Sequence, residues 1–379
     1  MKRILCILII LLILCGCKNT ISEKPVNINT EFSKGVWLSY NEINTFINSE
    51  DGFKESFDKA AAELENLGIT DLYFHVHSHC DSVFESEYFP QTDTSKTVNF
   101  DIFKYVTDKC HNQGVRVHAW INPYRVDSAG PQSPKEQWLK EKNADFLKYN
   151  GIYLDPSSGN SRKLLLDGVS EILEKYDVDG IHFDDYFYPT ADPEFDKASY
   201  EKYINEVKNP LSLYDWRRAN VDILISDCKN LIEKTDKDVL FSISPAASIT
   251  KNYDTYFADI ELWVKNGLID EVIPQLYFGF NHPKSDFCFE KLLKEWKNLC
   301  KGTRVSLKIG LAPYKIGYNT PSDGDEWAKN EDILARQSKI CLEDNSIDGV
   351  VFFSYTHLFS AKKQNTLERN NLREVLSPQ

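Results

Sequence analysis

The sequence predicts an α/β fold, a single (β/α)8 TIM barrel with extended βα loops, over residues 34–379. Eight short apolar stretches alternate with amphipathic helical stretches, an order that favours a closed parallel barrel. This length is normal for such a barrel, and 42% hydrophobic residues supply a large core. The alternative is a doubly wound open sheet. That fold would need a glycine-rich phosphate turn after the first strand, where Ser39-Tyr40-Asn41-Glu42 stands instead.

The candidate strands are short apolar runs that each precede a turn or helix signal. They span Gly35–Tyr40, Asp71–His77, Arg116–Pro123, Gly180–Phe187, Val239–Pro245, Glu271–Phe278, Arg304–Leu311 and Gly349–Tyr355. Apolar residues at helical spacing predict a helix from Phe53 to Leu67 that Gly68 terminates. Further helices are predicted over Phe103–Cys110, Leu164–Tyr176, Trp216–Ile232, Phe287–Leu299 and Ile333–Leu342. The long connection 124–178 is expected to shape a substrate cleft.

The N-terminus has the pattern of a bacterial export signal. Met1-Lys2-Arg3 is basic, and the apolar run Ile4–Leu14 is too short and wrongly flanked for a membrane span. Leu14-Cys15-Gly16-Cys17 resembles a lipobox, which predicts lipidation of Cys17. We therefore expect a lipoprotein signal peptide over 1–17, a polar tether over 18–33 and an extracytoplasmic, membrane-anchored protein. Plain secretion is the alternative.

Charge and cysteine content exclude some classes of partner. The net charge of −13 and the absence of basic clusters argue against nucleic acid as a partner. The six cysteines after the signal region contain no C-x-x-C pair and are expected to be mostly single buried thiols: Cys80, Cys110, Cys228, Cys288, Cys300 and Cys341. We predict neither a cofactor nor a metal.

Functional side chains of a barrel enzyme lie where the strands end. Here those positions carry Tyr and Trp rings beside hydrogen-bonding groups, a combination that suits a sugar. The predicted substrate-binding residues are Trp37, His75, His77, Asp81, His118, Trp120, Asn122, Tyr124, Arg125, His182, Tyr186, Tyr188, Gln275, Tyr277 and Tyr355. The same ends also carry Ser39, Tyr40, Ser242, Ser244, Tyr314 and Ser354, which we leave unassigned. Any single ring could instead belong to the core.

The segment Ile181-His182-Phe183-Asp184-Asp185-Tyr186-Phe187-Tyr188 ends an apolar strand in two adjacent carboxylates. Carboxylates held close together repel, so at least one pKa should rise towards a value useful for proton donation. A helix N-cap is the structural alternative, which Pro189 and the aromatic run fit poorly. Asp184 and Asp185 are therefore the predicted catalytic residues.

Other carboxylates are few at the strand ends, with Asp81 and, less favourably, Glu42 or Glu85 as candidates for a separate nucleophile. This scarcity favours a substrate-assisted route, in which the acetamido oxygen of an N-acetyl sugar attacks its own anomeric carbon. On the expectation that the strand ends between the two aspartates, Asp184 orients the acetamido N–H and Asp185 acts as acid and base.

Several segments together resemble the glycosyl-hydrolase-like proteins whose barrels are related to family-ten glycosidases, found among bacterial secreted proteins and lipoproteins. They are Val117–Arg125, Tyr176–Tyr186, Trp216–Asn220, Ser242–Pro245, Pro274–Tyr277 and Phe353–Tyr355. The resemblance covers Gly35 to Leu358. It implies a (β/α)8 barrel and glycan hydrolysis, with a cell-wall glycan containing N-acetyl sugars as substrate. Near the second strand the family pattern has Arg followed by Pro, where this chain has His77-Ser78, and Phe84 replaces the usual tyrosine.

Two other functions compete with glycoside hydrolysis. His75 and His77 would lie on one face of a strand, with His118 and His182 at the ends of neighbouring strands, as in a TIM-barrel metallohydrolase. A non-catalytic glycan-binding barrel is the second competitor. It would keep glycan binding without turnover, and replacing Asp185 with Asn would then have no effect.

Overall fold

The computed structural model describes residues 31–127, 135–235 and 237–377. Eight parallel strands form a closed barrel in the order in which they occur along the chain, and the last strand pairs with the first. They are β1 (Ser33–Leu38), β2 (Asp71–His77), β3 (Arg116–Ile121), β7 (Gly180–Phe183), β8 (Leu240–Ile243), β9 (Glu271–Val272), β10 (Ser306–Leu311) and β11 (Gly349–Phe353). The predicted (β/α)8 barrel is confirmed, and the open doubly wound sheet is wrong.

Helices surround the barrel and follow most of its strands. In chain order they are α1 (Tyr40–Phe46), α2 (Glu50–Leu67), α3 (Ile102–His111), α4 (Lys135–Glu141), α5 (Gly159–Lys175), α6 (Lys197–Glu206), α7 (Leu213–Glu233), α8 (Ile249–Asp254), α9 (Ile260–Asn266), α10 (Phe289–Cys300), α11 (Glu326–Lys329), α12 (Ile333–Leu342), α13 (Tyr355–Leu358) and α14 (Lys363–Leu376). Short 3-10 turns occur at Ser95–Thr97, Ser285–Phe287 and Pro313–Lys315.

Helix α2 shows how local sequence sets an element. The Ser49 side chain accepts a hydrogen bond from the Gly52 amide at the first turn, and Gly68 ends the helix with a left-handed φ of 68°. Its apolar residues, Phe53 and Phe57 among them, face the core and are fully buried. The periodic pattern and the terminating glycine were both readable from the sequence.

A small antiparallel sheet is inserted in the long connection between β3 and β7. It contains β4 (Arg125–Asp127), β5 (Phe146–Lys148) and β6 (Ile152–Leu154), with β6 in the middle. In this sheet Arg125 lies opposite Tyr153. The insertion stands beside the carboxyl end of β3, so it can contribute to the mouth of the barrel.

The amino-terminal layer of the barrel interior is ionic and closely paired. Asp71 contacts Arg116 and His118 at 2.9 Å each and Lys308 at 3.6 Å. Lys308 lies 2.6 Å from Glu271. Apart from partly buried Arg116, these side chains are excluded from solvent, and every charge in the group has an opposite partner. This cluster therefore has the character of a structural core.

Six of the eight barrel strands are shorter than predicted, and β7 and β9 are shorter by half or more. β7 ends at Phe183, before both aspartates, because the Asp184 side chain accepts a hydrogen bond from the Tyr186 amide and turns the chain. β9 contains only Glu271 and Val272; Pro274, which has no amide hydrogen, follows shortly after. The barrel itself begins at Ser33, the last residue of the predicted tether.

The predicted signal peptide, Cys17 and most of the tether lie outside the described residues. Within the described ranges, no helix has both the length and the apolar character needed to cross a membrane. The six cysteines after the signal region are all free thiols, and four of them are buried.

Candidate active site

A cavity of about 300 Å³ opens at the carboxyl ends of the barrel strands. Its size is at the lower end of the range for small-ligand sites. It is lined by Trp37, Ser39, Tyr40, Asn41, His75, Trp120, Asn122, Arg125, Asp184, Asp185, Tyr186, Ser244, Gln275, Tyr277 and Phe353. These residues come from strand ends and from the loops that follow them, the position where barrel enzymes carry their chemistry.

The two adjacent aspartates lie in this cavity. Asp184 directly follows β7 and is only 3% exposed. One of its carboxylate oxygens accepts a hydrogen bond from the Tyr186 amide at 3.1 Å, and the other accepts one from the Trp120 indole N–H at 3.3 Å. Asp185 is partly exposed and faces the Gln275 amide. The pair thus combines one fixed carboxylate with one that solvent can reach.

Burial makes both aspartates weaker acids than usual. Desolvation, and then the charge of Asp185, raise the pKa of Asp184 well above its ordinary value, although hydrogen bonds and the more distant Arg125 oppose this. Desolvation also raises the pKa of Asp185, while Gln275 and Lys251 lower it. Two interacting carboxylates titrate as a unit, so the pair can retain one proton at a pH where isolated aspartates are ionised.

Aromatic rings form much of the cavity wall. The His75 imidazole stacks on the Trp120 indole with ring centres 3.7 Å apart, and Tyr40 meets His75 edge-on at 5.5 Å. Across the cavity, the Tyr277 and Phe353 rings stack with centres 5.9 Å apart. Such faces pack against the apolar faces of sugar rings, while the polar groups between them can bind hydroxyls.

The other candidate carboxylates are held elsewhere. Asp81 accepts hydrogen bonds from the amides of Ser78 and His79 and pairs with Lys135 at 2.9 Å, and these contacts lower its pKa to about 2 against the opposing effect of burial. Glu85 is exposed and is not part of the cavity lining.

Glu42 is also occupied by structural contacts. One of its carboxylate oxygens accepts hydrogen bonds from the Ser39 amide and hydroxyl, and the other accepts them from the Ser354 hydroxyl and the Thr356 amide. These four contacts join the end of β1 to the end of β11. We call them the Glu42 clasp.

Ten of the predicted substrate-binding and catalytic residues line the cavity together. They are Trp37, His75, Trp120, Asn122, Arg125, Asp184, Asp185, Tyr186, Gln275 and Tyr277. The other seven do not line it: His77, Asp81, His118, Tyr124, His182, Tyr188 and Tyr355. These seven side chains lie outside the lining of this cavity, so their substrate-binding role stays a prediction.

His77 is displaced by an irregularity in the strand. The pairing of β2 with β3 shifts register between His75 and His77, so the two residues do not follow simple alternation. The His77 ring packs against Phe84 and Phe89, and its Nδ1 contacts the Asp81 carbonyl. The substitution of the family's Arg-Pro by His77-Ser78 therefore places an imidazole among core rings.

The same shift separates the two imidazoles of the metallohydrolase hypothesis. In the described part of the chain, no three His, Cys, Asp or Glu side chains are grouped as a metal site would require. His118 is fully buried beside Asp71, in the ionic layer below the cavity. The imidazoles that the metallohydrolase hypothesis requires therefore lie in different surroundings.

His182 supports the cavity from beneath. Its Nε2 accepts a hydrogen bond from the Trp37 indole N–H at 3.1 Å, which leaves Nδ1 to donate to the Ser242 hydroxyl at 2.8 Å. Desolvation, together with the other buried imidazoles, lowers its pKa well below the ordinary value, consistent with a neutral ring. His182 therefore positions Trp37.

The three remaining tyrosines are buried away from the cavity. Tyr124 and Tyr188 are 1% and 2% exposed, beneath the long loops, and the Tyr188 ring lies 5.4 Å from the Arg217 guanidinium. Tyr355 donates a hydrogen bond to Glu63 on α2. Aromatic residues at strand ends predicted a sugar site, but these three serve packing.

Five lining residues were not predicted: Ser39, Tyr40, Asn41, Ser244 and Phe353. Ser39, Tyr40 and Ser244 stand at predicted strand ends, so position alone could have assigned them. Asn41 lies in α1, and Phe353 is the last residue of β11. No motif in the sequence singles out Asn41, whereas Phe353 belongs to the Phe353–Tyr355 segment of the family resemblance, which assigned it no role.

A closed (β/α)8 barrel with an aromatic cavity and a buried carboxylate pair at its mouth is an arrangement that suits a glycoside hydrolase. The family model for "Glycosyl hydrolase-like 10" matches residues 33–329. The chain belongs to this family and is a glycosidase, which confirms the resemblance found in the sequence.

Named relatives agree with this assignment, and a solved structure shares the fold. The chain is 28% identical to glycosyl hydrolase DigH of Escherichia coli K12, over 94% of this chain and 93% of that protein. It is 30% identical to glycosyl hydrolase YngK of Bacillus subtilis 168, over 73% of this chain and 59% of that protein. The glycoside hydrolase domain of PgaB (BpsB) from Bordetella bronchiseptica shares the fold with a TM-score of 0.61 and 13% identity, covering 92% of this chain and 99% of that one.

Proposed function

We propose that this glycosidase cleaves a polysaccharide containing N-acetyl sugars, of the peptidoglycan type, with Asp184 and Asp185 as its catalytic pair. The proposal depends on which carboxylates line the cavity and which ones make structural contacts. The two aspartates are the acids that line the cavity, whereas Asp81 and Glu42 are committed to structural contacts. A conventional double displacement needs a separate carboxylate nucleophile about 5 Å from the acid.

In a substrate-assisted reaction the nucleophile comes from the sugar. The acetamido oxygen attacks the anomeric carbon, the glycosidic bond breaks, and the leaving oxygen takes the proton of the acid. A carboxylate that accepts a hydrogen bond from the acetamido N–H stabilises the positive charge that develops on the cyclic intermediate. Water then opens this intermediate and gives its proton back to the carboxylate that served as acid.

The surroundings of the two aspartates support different roles. Asp184 is fixed by the Trp120 indole and the Tyr186 amide, as suits the carboxylate that orients the acetamido group. Asp185 is the more exposed of the two, so it can exchange protons with water and with the leaving group. We assign Asp184 as the polarising residue and Asp185 as the acid and base.

A substrate panel tests this proposal. The purified protein would be incubated with peptide-free cell-wall glycan, chitin oligomers and unacetylated β-glucans, and the products identified by mass. We expect cleavage of N-acetylated glycans alone, and inhibition by a thiazoline analogue of the cyclic intermediate. Cleavage of only the unacetylated glucans would overturn the substrate-assisted route and would direct attention back to a separate nucleophile such as Asp81.

We also propose that the protein is held at the outer side of a membrane by lipid on Cys17. The proposal is supported by the basic start, the short apolar run and the lipobox-like Leu14–Cys17. Labelling cells with an alkyne fatty acid should mark the wild-type protein in the membrane fraction. The Cys17→Ala variant should lose the label, and a label that persists in this variant would contradict the anchor.

A further inference from the structure

Among the residues that the structure describes, Arg125 is the one cation that lines the cavity. It is the first residue of β4 and is partly buried. The lining contains two acidic residues, Asp184 and Asp185, and the chain as a whole has a net charge of −13. A positive side chain in an acidic cavity is therefore a feature that packing alone does not require.

The Arg125 guanidinium has no ion pair and no side-chain hydrogen bond with any residue in the described ranges of the chain. Its contact is with the Tyr186 ring, whose centre lies 5.1 Å away. Other arginines near the barrel are paired, as Arg116 is with Asp71 and Arg217 is with Asp196. A guanidinium stacked on a ring still presents N–H groups along its edges, in a fork that matches a carboxylate.

The backbone holds this arginine in place. Arg125 lies opposite Tyr153 in the inserted antiparallel sheet, so its position does not depend on a flexible loop tip. The ring beneath it restricts the guanidinium further. A donor that is positioned before binding loses little conformational freedom when the ligand arrives, which strengthens recognition.

In the described structure, neither Asp184 nor Asp185 forms an ion pair with the Arg125 guanidinium. Asp184 is bound by Trp120 and Tyr186, and no carboxylate oxygen in the described residues lies within 4 Å of the Arg125 nitrogens. Arg125 still acts on Asp184 through space, because its charge lowers the pKa of that carboxyl against the larger effect of burial. The guanidinium is thus close to the catalytic pair but not paired with it. An anionic sugar entering the cavity would be repelled by the two aspartates unless a cation neutralised it.

We propose that Arg125 binds a carboxylate carried by the sugar at or beside the bond that is cleaved, and so determines specificity for acidic over neutral glycans. In a peptidoglycan-type glycan, that group is the lactyl carboxylate of N-acetylmuramic acid. This inference rests on the proposed function, since it names the substituent that the same cavity recognises. It assigns Arg125 a binding role; the chemistry stays with the aspartates.

The test compares two forms of one substrate. Peptide-free cell-wall glycan would be assayed before and after its lactyl carboxylates are converted to methyl amides, which removes the charge and keeps the sugar chain. We expect the conversion to lower kcat/KM of the wild type about 10- to 100-fold, the range for a charge-assisted hydrogen bond. The Arg125→Gln variant should lose a similar factor on the acidic glycan and become indifferent to the conversion. Arg125→Lys, which keeps the charge without the fork, should fall between them.

A matched control is Arg162→Gln, because Arg162 pairs with Asp227 at 3.1 Å outside the cavity lining. It should keep the wild-type preference for the acidic glycan. If Arg125→Gln also keeps that preference, or if the wild type has none, the inference is overturned. Equal loss on both glycans would do the same, because it would mean that Arg125 acts only through the charge of the aspartates.

Failure of the proposed function can be told apart from failure of this inference. If the wild type cleaves neither glycan, calorimetry with free N-acetylmuramic acid and N-acetylglucosamine still decides the role of Arg125. Tighter binding of the acidic sugar that disappears in Arg125→Gln supports the inference. Equal binding of the two sugars by the wild type overturns it.

Discussion

Buried carboxylates differ in their partners at the two ends of the barrel. In the amino-terminal layer, Asp71 has Arg116, His118 and Lys308 as partners. At the carboxyl end, Asp184 lies beside another acid and receives only neutral donors at hydrogen-bond distance. The pKa of Asp71 is accordingly lowered, while that of Asp184 is raised. Both carboxylates are buried, so burial alone does not identify a functional group; the absence of compensating partners does.

The largest effect is expected from breaking the paired layer. Asp71→Asn should lower the free energy of unfolding by about 3–5 kcal/mol, because it removes the counter-charge of the Arg116 guanidinium and one of the two carboxylates beside the buried Lys308. Urea denaturation measures this loss. The exposed Asp93 provides the control, since Asp93→Asn makes the same chemical change at a solvated site. An unchanged denaturation midpoint for Asp71→Asn would show that the ionic layer does not stabilise the barrel.

The corresponding change at the mouth should act on turnover. Asp185→Asn should lower turnover of peptide-free cell-wall glycan at least ~100-fold, the usual contribution of general acid catalysis. The free energy of unfolding should not fall, since the substitution removes a charge that burial disfavours. Turnover and urea denaturation on the same preparation separate the two effects. Near-wild-type turnover would remove Asp185 from the role of acid.

Opposite pH dependences provide a third test of the comparison. The pKa of Asp184 is raised in the folded state, so the folded protein binds a proton more readily than the unfolded chain. Stability should therefore fall, by up to about 1.4 kcal/mol per pH unit, as the pH rises from the ordinary value of 3.8 to the raised pKa. Asp184→Asn should remove this decline. The lowered pKa of Asp71 has the reverse sign, because its stabilisation is lost as the pH falls below 3.8.

The free energies of unfolding of wild type and Asp184→Asn, measured in urea from pH 4 to pH 8, give this difference directly. The two curves should diverge as the pH rises. Parallel curves across this range would mean that Asp184 titrates in the folded protein as it does in the unfolded chain.

The smallest effect concerns two buried imidazoles. Within the described ranges, neither ring nitrogen of His75 has a hydrogen-bond partner, whereas His182 bonds to Ser242, Ser244 and the Trp37 indole. His75→Phe keeps a ring stacked on the cavity wall and should raise the free energy of unfolding by about 1 kcal/mol. His182→Phe, its matched control, should lower it by about 1–3 kcal/mol by leaving its partners unsatisfied. Thermal and urea unfolding would show this contrast; equal losses in both variants would contradict it.

Much of the fold was predictable because it follows from periodicity. The bounds of Asp71–His77 and Ile333–Leu342 agree with the sequence prediction, since apolar runs and helical spacing define them directly. Strand ends at the cavity were less predictable. β7 stops at Phe183 because of a side-chain hydrogen bond made by Asp184, and no propensity encodes that contact.

The residue types of the site were predictable from the sequence, but the depth of each side chain in the barrel interior was not. The sequence places His118 and His182 at the ends of neighbouring strands, yet strand position does not say how deep in the barrel each side chain lies. His118 lies with the ionic layer and His182 just below the cavity. Alternation also failed at His77, where the strand shifts register. Arg125 and Trp120 line the cavity, as their positions at the end of β3 suggested.

The Glu42 clasp ties together segments more than 300 positions apart in the chain. Trp37 and Phe353, which come from the first and last strands, both border the cavity. A ribosome-bound chain therefore carries both aspartates long before it possesses a pocket to hold a sugar. Because the cavity wall includes residues of both strands, the cavity is complete only after the final strand has been synthesised and has paired with the first.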